Sequence, residues 1–148
     1  MSNHDDLPFD ITLKVRDACV CLHVQRAARA LARRYDEALR PVGLTNGQFS
    51  LMMSLNRPVP PRISDVSTLL AMDRTTLTAN LKPLERRGLV TVAVDEADRR
   101  GRRLALTPTG RALLAEAMPI WERTQAEIEA LVTASDPDTL RADLRALS

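Results

Sequence analysis

Apolar residues recur at spacings of three and four from about Leu13 to Arg40, with Val20, Val24, Ala27, Leu31, Tyr35 and Ala38 in one stripe and no Gly or Pro between. This spacing predicts one long amphipathic helix. Arg26, Arg29, Arg33 and Arg34 fall mostly on its wet side, and Pro41 and Gly43 end it. Thr45, with Gln48 three residues on, forms a capping box for a short buried helix carrying Phe49, Met52, Met53 and Leu55. Three prolines between Arg57 and Pro61 close that helix. Ile63, Val66, Leu69, Leu70 and Met72 then predict a third helix, and Asp73 N-caps a fourth that runs to Arg87, with Gly88 as its C′ residue. Pro83 falls inside the fourth helix and is expected to kink it.

After Gly88 the period changes from helical to alternating. Leu89, Val90, Val92 and Val94 lead to a charged tip over Asp95 to Arg103, and Leu104 and Leu106 return, which predicts a β-hairpin. Thr107 and Pro108 are the cap and first residue of another helix, whose apolar pattern continues to about Thr133 with a bend expected at Pro119. A last short helix follows Asp136 and Pro137, with Leu140, Leu144 and Leu147 as its stripe. There is no internal repeat and no low-complexity tract.

Length and composition narrow the class. A chain of 148 residues holds one ordinary domain. No apolar run approaches the roughly 18 residues of a membrane span, and the first ten residues, MSNHDDLPFD, lack a secretory pattern, so a cytoplasmic location away from membranes is expected. Two cysteines, Cys19 and Cys21, and two histidines, His4 and His23, give no zinc constellation, so neither metal nor cofactor is expected. On one helix these cysteines would point about 200° apart and could not readily pair. No Ser-His-Asp set, phosphate-cradling glycine loop or carboxylate pair can be assembled, which argues against an enzyme. The net charge is only +2, yet residues 74–103 carry eight bases against four acids. A basic island in a nearly neutral chain indicates a surface that faces a polyanion.

Two short helices, a turn and a hairpin with arginines at its tip are the parts of a winged helix-turn-helix. The phrases GLTNGQFSLMMSL (43–55), ISDVSTLLAMDRTTLTANLKPLERRGLV (63–90) and DEADRRGRRLALTPTGRALL (95–114) resemble the MarR family of bacterial regulators. The last is the most specific, because it joins an Asp-Arg-Arg wing to a Leu-Thr-x-x-Gly junction. The resemblance implies a mainly α fold with a small β-hairpin wing. Residues 41–107 would form the DNA-binding lobe, residues 13–40 and 108–148 the dimerisation helices, and residues 1–12 an N-terminal extension. It further implies a cytoplasmic homodimer on a pseudo-palindromic operator in double-stranded DNA, acting as a repressor that a small molecule releases.

In the helix-turn-helix geometry the fourth helix enters the major groove. Arg74, Thr75, Thr76, Thr78, Asn80 and Lys82 are its candidate readers, with Ser64, Ser67 and Thr68 of the preceding helix as phosphate contacts. Three threonines are poor choices for a merely solvated helix. At the wing, Asp98, Arg99, Arg100, Arg102 and Arg103 would approach a flanking minor groove, where negative potential favours guanidinium groups. The family's Asp-x-Arg pattern implies that Arg100 inserts and Asp98 steers it by a charge-assisted hydrogen bond.

For the effector, His23, Arg26, Phe49, Met52, Met53 and Trp121 are candidate lining residues, against the plainer reading of Phe49, Met52 and Met53 as core. A different reading makes the chain a thiol-based redox sensor. Cys21, ahead of Cys19, stands 14 residues before Tyr35, the spacing of the reactive cysteine and supporting tyrosine in the hydroperoxide-sensing branch of the family. Arg16 and His23 would favour its thiolate. The chain departs from that branch at Asn46, where a second tyrosine is expected, and has Phe49 where another aromatic hydroxyl would stand. A winged-helix module that binds protein rather than DNA is the remaining alternative.

Overall fold

The computed structural model describes residues 7–148, so His4 and the first half of the expected N-terminal extension lie outside the described residues. The long first helix is in fact two, α1 (Phe9–Ala18) and α2 (Val20–Leu39), broken at Cys19, which adopts an extended conformation. Neither Gly nor Pro marks the break. Cys19 N-caps α2, its carbonyl accepting the His23 amide at 3.2 Å and facing His23 Nδ1 at 2.7 Å. The apolar stripe from Val20 to Ala38 lies wholly within α2, so its periodicity did not test the segment before Cys19. The common helix assumed for the two cysteines therefore does not exist.

A 3-10 turn over Arg40–Val42 ends at Gly43, whose φ of 69° is left-handed. Helix α3 (Asn46–Ser54) follows with the expected Thr45–Gln48 capping box. Helix α4 (Ile63–Leu69) is shorter than its pattern suggested. Leu70, Ala71 and Met72 form the turn instead, with Ala71 at a φ of 50°, and Leu69 is exposed. Helix α5 (Arg74–Arg86) starts at Asp73, whose carboxylate accepts the Thr76 amide and hydroxyl at 2.8 and 2.7 Å. It runs on through Pro83, and α6 (Pro108–Glu129) runs on through Pro119. A proline deprives the carbonyl four residues earlier of its amide. Here those carbonyls belong to Ala79 and Ala115, both exposed, so water can supply the missing donor.

Strands β1 (Val90–Val94) and β2 (Arg102–Leu106) form the antiparallel hairpin, with Val90 opposite Leu106 and Val92 opposite Leu104. A short third pairing joins Arg62 to Arg103, reinforced by the Leu104 amide on the Pro61 carbonyl at 3.0 Å. Helix α7 (Pro137–Ala146) closes the chain.

One core joins these elements. Leu39, Leu51, Met52, Val66, Leu77, Leu84, Val90 and Leu104 are its fully buried side chains, drawn from α2 to α5 and the hairpin, and Leu114 and Ala117 attach α6 to it. Helix α2 packs along α6, and α3 bridges both to the lobe carrying α4 and α5. By contrast α1 and α7 bury no residue, and Phe9, Ile11, Val15, Val20, Leu140, Leu144 and Leu147 remain exposed.

Candidate nucleic-acid interface

Leu77, Leu81 and Leu84 fix the rotation of α5 by entering the core. That rotation leaves Arg74, Thr75, Thr78 and Lys82 exposed. The hairpin rises beside the same helix because Val90 and Leu106 at its base and Leu104 above them are buried. The result is a cleft lined by Arg74, Thr78, Leu81, Lys82 and Glu85 of α5 and by Arg100 and Arg102 of the wing, with Ile63 and Val92 at its floor. Four cations from two elements face one space, against the single carboxylate of Glu85. Such an arrangement suits a phosphate-lined groove.

Other candidates are placed differently. Thr76 spends its hydroxyl on the Asp73 cap, and the same two bonds to Thr76 hold the Asp73 carboxyl below its ordinary range. Ser67 donates to the Met72 carbonyl across the turn, Thr68 to Ser64 at 3.1 Å and Thr78 to Arg74 at 2.8 Å. The Asn80 amide approaches the Met72 sulfur at 3.5 Å. Ser64 is exposed at the start of α4. Arg99 belongs to a separate recess with Val94 and Glu96.

Within the wing, Asp98 does not hold the Arg100 guanidinium. Its Oδ1 accepts the Arg100 backbone amide at 3.1 Å, so it shapes the turn and leaves the Arg100 side chain exposed. Arg102 donates to the carbonyls of Gly101 and Arg99 at 3.0 and 3.3 Å. Arg103 is tied back, with Nη1 on the Pro60 carbonyl at 2.9 Å and Nε 3.3 Å from Asp95 Oδ2. Asp95, expected at the polar tip, is buried at 4% exposure, and Arg62, absent from the sequence candidates, lies 3.2 Å from the same oxygen. No periodicity marks Asp95, because a buried acid interrupts an alternation without announcing its partners. For Arg62 the available signal was a base directly after Pro60 and Pro61 at a helix start.

The effector candidates divide. Phe49 and Trp121 stack with centroids 6.4 Å apart and, with Ser50, Met53, Leu70 and Met118, line an apolar cavity of about 410 Å³. Met52 is fully buried in the core and does not belong to that cavity's lining. His23 and Arg26 stand apart from that cavity, on an exposed face of α2 with Arg29 and Arg33. Nor does one chain bring Cys21 to Tyr35, for 14 residues of helix separate them by about 21 Å. The Tyr35 hydroxyl donates to Gln125 instead, and burial, with the Glu129 charge, pushes its pKa up. Arg16 pairs with Asp17 at 2.8 Å, and the nearest partner of His23 is the Cys19 carbonyl, so neither is engaged with Cys21. Asn46, at the place of the expected second tyrosine, gives its amide and side chain to Asp36 at 2.7 and 2.8 Å.

A reading helix with a basic hairpin beside it defines the winged helix-turn-helix class. The MarR family model matches residues 44–101. The transcriptional regulator MosR of M. tuberculosis, solved in complex with DNA, is 43% identical, with a TM-score of 0.80 over 87% of this chain and 92% of that one. The transcriptional repressor CouR, bound to a 23-mer DNA duplex, is 28% identical, with a TM-score of 0.79 over 90% and 94%. The transcriptional activatory protein BadR of Rhodopseudomonas palustris is 33% identical over 89 residues, which are 58% of this chain and 51% of BadR. The chain thus spans about half the length of the curated relatives it matches. The chain belongs to the MarR family of transcriptional regulators.

Proposed function

We propose that the chain is a cytoplasmic, homodimeric repressor that binds a pseudo-palindromic DNA duplex through α5 and the wing and is released by a small molecule. The observation that carries DNA binding is the shared cleft of Arg74, Thr78 and Lys82 with Arg100 and Arg102. MosR and CouR, solved on DNA, support it. Dimerisation is supported by the apolar faces of α1 and α7, which nothing in the described chain covers. No described helix is long and apolar enough to cross a membrane. Repression is the role of CouR, a transcriptional repressor, whereas BadR is a transcriptional activatory protein, so the sign of regulation needs a reporter. The Phe49–Trp121 cavity is the effector site that the geometry favours.

Selection of bound duplexes from a genomic pool, followed by mobility shift, tests the reading. The expected product is a two-fold site with half-sites about one helical turn apart. A chain that sediments as a monomer and selects no duplex would leave the protein-interaction module in its place.

One observation favours a redox component. The helix break falls at Cys19, and Cys21 is exposed in the first turn of α2, where oxidation would act on an element lacking any buried neighbour before it. Peroxide should then weaken DNA binding of the wild type and spare Cys21→Ser. Equal insensitivity of both proteins removes this component.

A further inference from the structure

The wing contains a carboxylate that DNA binding, read naively, should not tolerate. Asp95 directly follows β1 beside a polyanion-facing surface, yet only 4% of it is exposed. Its Oδ1 accepts the Ala97 amide at 3.1 Å, and its own amide donates to the Gly101 carbonyl at 3.1 Å, so it closes the tip. Its Oδ2 makes no directed hydrogen bond and instead faces two guanidinium groups, Arg62 Nε at 3.2 Å and Arg103 Nε at 3.3 Å. These arginines come from different elements: Arg62 precedes the first residue of α4, and Arg103 lies on β2. Their backbones also meet in the isolated β-bridge. Side chains and backbone therefore converge at the tip end of the hairpin, where the residue before α4 meets β2.

We infer that Asp95 is a positioning residue for DNA recognition: through Arg62 and Arg103 it clamps the wing against the start of α4, so that Arg100 and Arg102 face the same groove as α5. Two close guanidinium groups repel one another, and the buried carboxylate between them removes that repulsion. Ala97's amide first, then the Arg103 and Arg62 charges, keep Asp95 ionised against the opposing effect of burial. The clamp also sorts the wing arginines. Arg103 is committed inward, while Arg100 projects.

This inference rests on the DNA-binding reading, and its test separates the two. Wild type, Asp95→Asn, Arg62→Gln and the double variant are titrated with the selected duplex across a salt series, with thermal melting to confirm folding. Were Asp95 only a stray acid near phosphate, Asp95→Asn would bind more tightly with a steeper salt slope, since one negative charge is gone. The clamp predicts the reverse: roughly tenfold weaker binding and a slope shallower by about one, because Arg100 and Arg102 lose their register. Arg62→Gln, at an exposed position, should fall in the same direction by less. The double variant should lose no more than Asp95→Asn alone, since both substitutions cut one coupling. Should Asp95→Asn not fold, a fall in affinity and slope for Arg62→Gln supports the clamp, and unchanged binding overturns it. Tighter binding by Asp95→Asn, or strictly additive losses, overturns it while leaving DNA binding intact. Failure of the wild type to bind any duplex would instead refute the DNA-binding reading itself.

Discussion

Gly110 lies against the backbone of Leu89 so closely that a Cβ built on it would stand 2.0 Å from the Leu89 carbonyl oxygen. Thr107 explains the approach. Its hydroxyl donates to the Gly88 carbonyl at 2.6 Å, its amide donates to Leu89 at 3.1 Å, and its oxygen caps Gly110 at 3.0 Å. The start of α6 is thus laid directly on the residue that enters β1. The Leu-Thr-x-x-Gly phrase is the chemistry of that junction, which holds the wing to α6.

Gly110→Ala should therefore destabilise the fold by about 2 kcal/mol or more, since backbone and not a flexible side chain must move. Gly47 provides the control. Nothing lies within 4 Å of a Cβ placed there, and it occupies the first turn of α3. Gly47→Ala should leave the thermal midpoint unchanged or raise it, by up to about 1 kcal/mol in stability. Equal melting of the two variants would refute the close-approach account.

The wing arginines should divide by role. Arg100→Ala is expected to weaken duplex binding and flatten its salt slope by about one, with melting and oligomeric state unchanged. Arg103→Ala should lower the thermal midpoint as well, because Arg103 bonds the Pro60 carbonyl and faces Asp95. Calorimetry and a salt titration on both variants decide this. Identical behaviour of the two would mean that the inward and outward placements have no energetic meaning.

Most of the architecture was legible because each element announces its own ends: Thr45, Asp73, Thr107 and Asp136 all accept the amide three residues on, as their types suggested. What stayed hidden depends on the third dimension. The break at Cys19 precedes the whole stripe, which therefore could not reveal it, and Leu70 and Met72 pack on the core from a turn, so apolar spacing overran the end of α4. The candidate interface was legible as a set of charges but not as directions. Sequence placed five polar residues in the wing, and only coordinates show Arg103 turned toward Asp95 while Arg100 and Arg102 join the α5 cleft. Met52 and Met53 are adjacent in sequence, yet one is core and the other lines the cavity.

Acid should weaken the joint between α2 and α3. Asp36 Oδ1 accepts the Asn46 amide and then its side chain, and these two bonds hold the Asp36 carboxyl below its ordinary value of 3.8. The folded chain therefore binds this proton less readily than the unfolded one. The contribution is fully present above the ordinary value and disappears as pH falls through the lowered one. The thermal midpoint should be level near neutrality and decline in acid, with a smaller decline in Asp36→Asn. A variant that tracks the wild type at every pH would assign the acid sensitivity to the other depressed carboxylates, such as Asp73 and Asp136.

Trp121 is the only tryptophan in the chain, and its stack on Phe49 forms one wall of the apolar cavity. Its fluorescence should therefore report any ligand that enters. Among the described residues no Lys, Arg or His lines that cavity, so an uncharged aromatic should bind ahead of a carboxylate of similar size, whose charge would lose water without gaining a partner. The comparison is indole against benzoate, with Trp121 emission and duplex affinity followed together. Indole should change both saturably, and Leu70→Phe, which fills the cavity beside the turn that leads into α5, should abolish both responses. Tighter binding of benzoate would move the effector toward the cationic face of His23, Arg26, Arg29 and Arg33. Emission that changes while duplex affinity stays constant would show a cavity uncoupled from the reading helix.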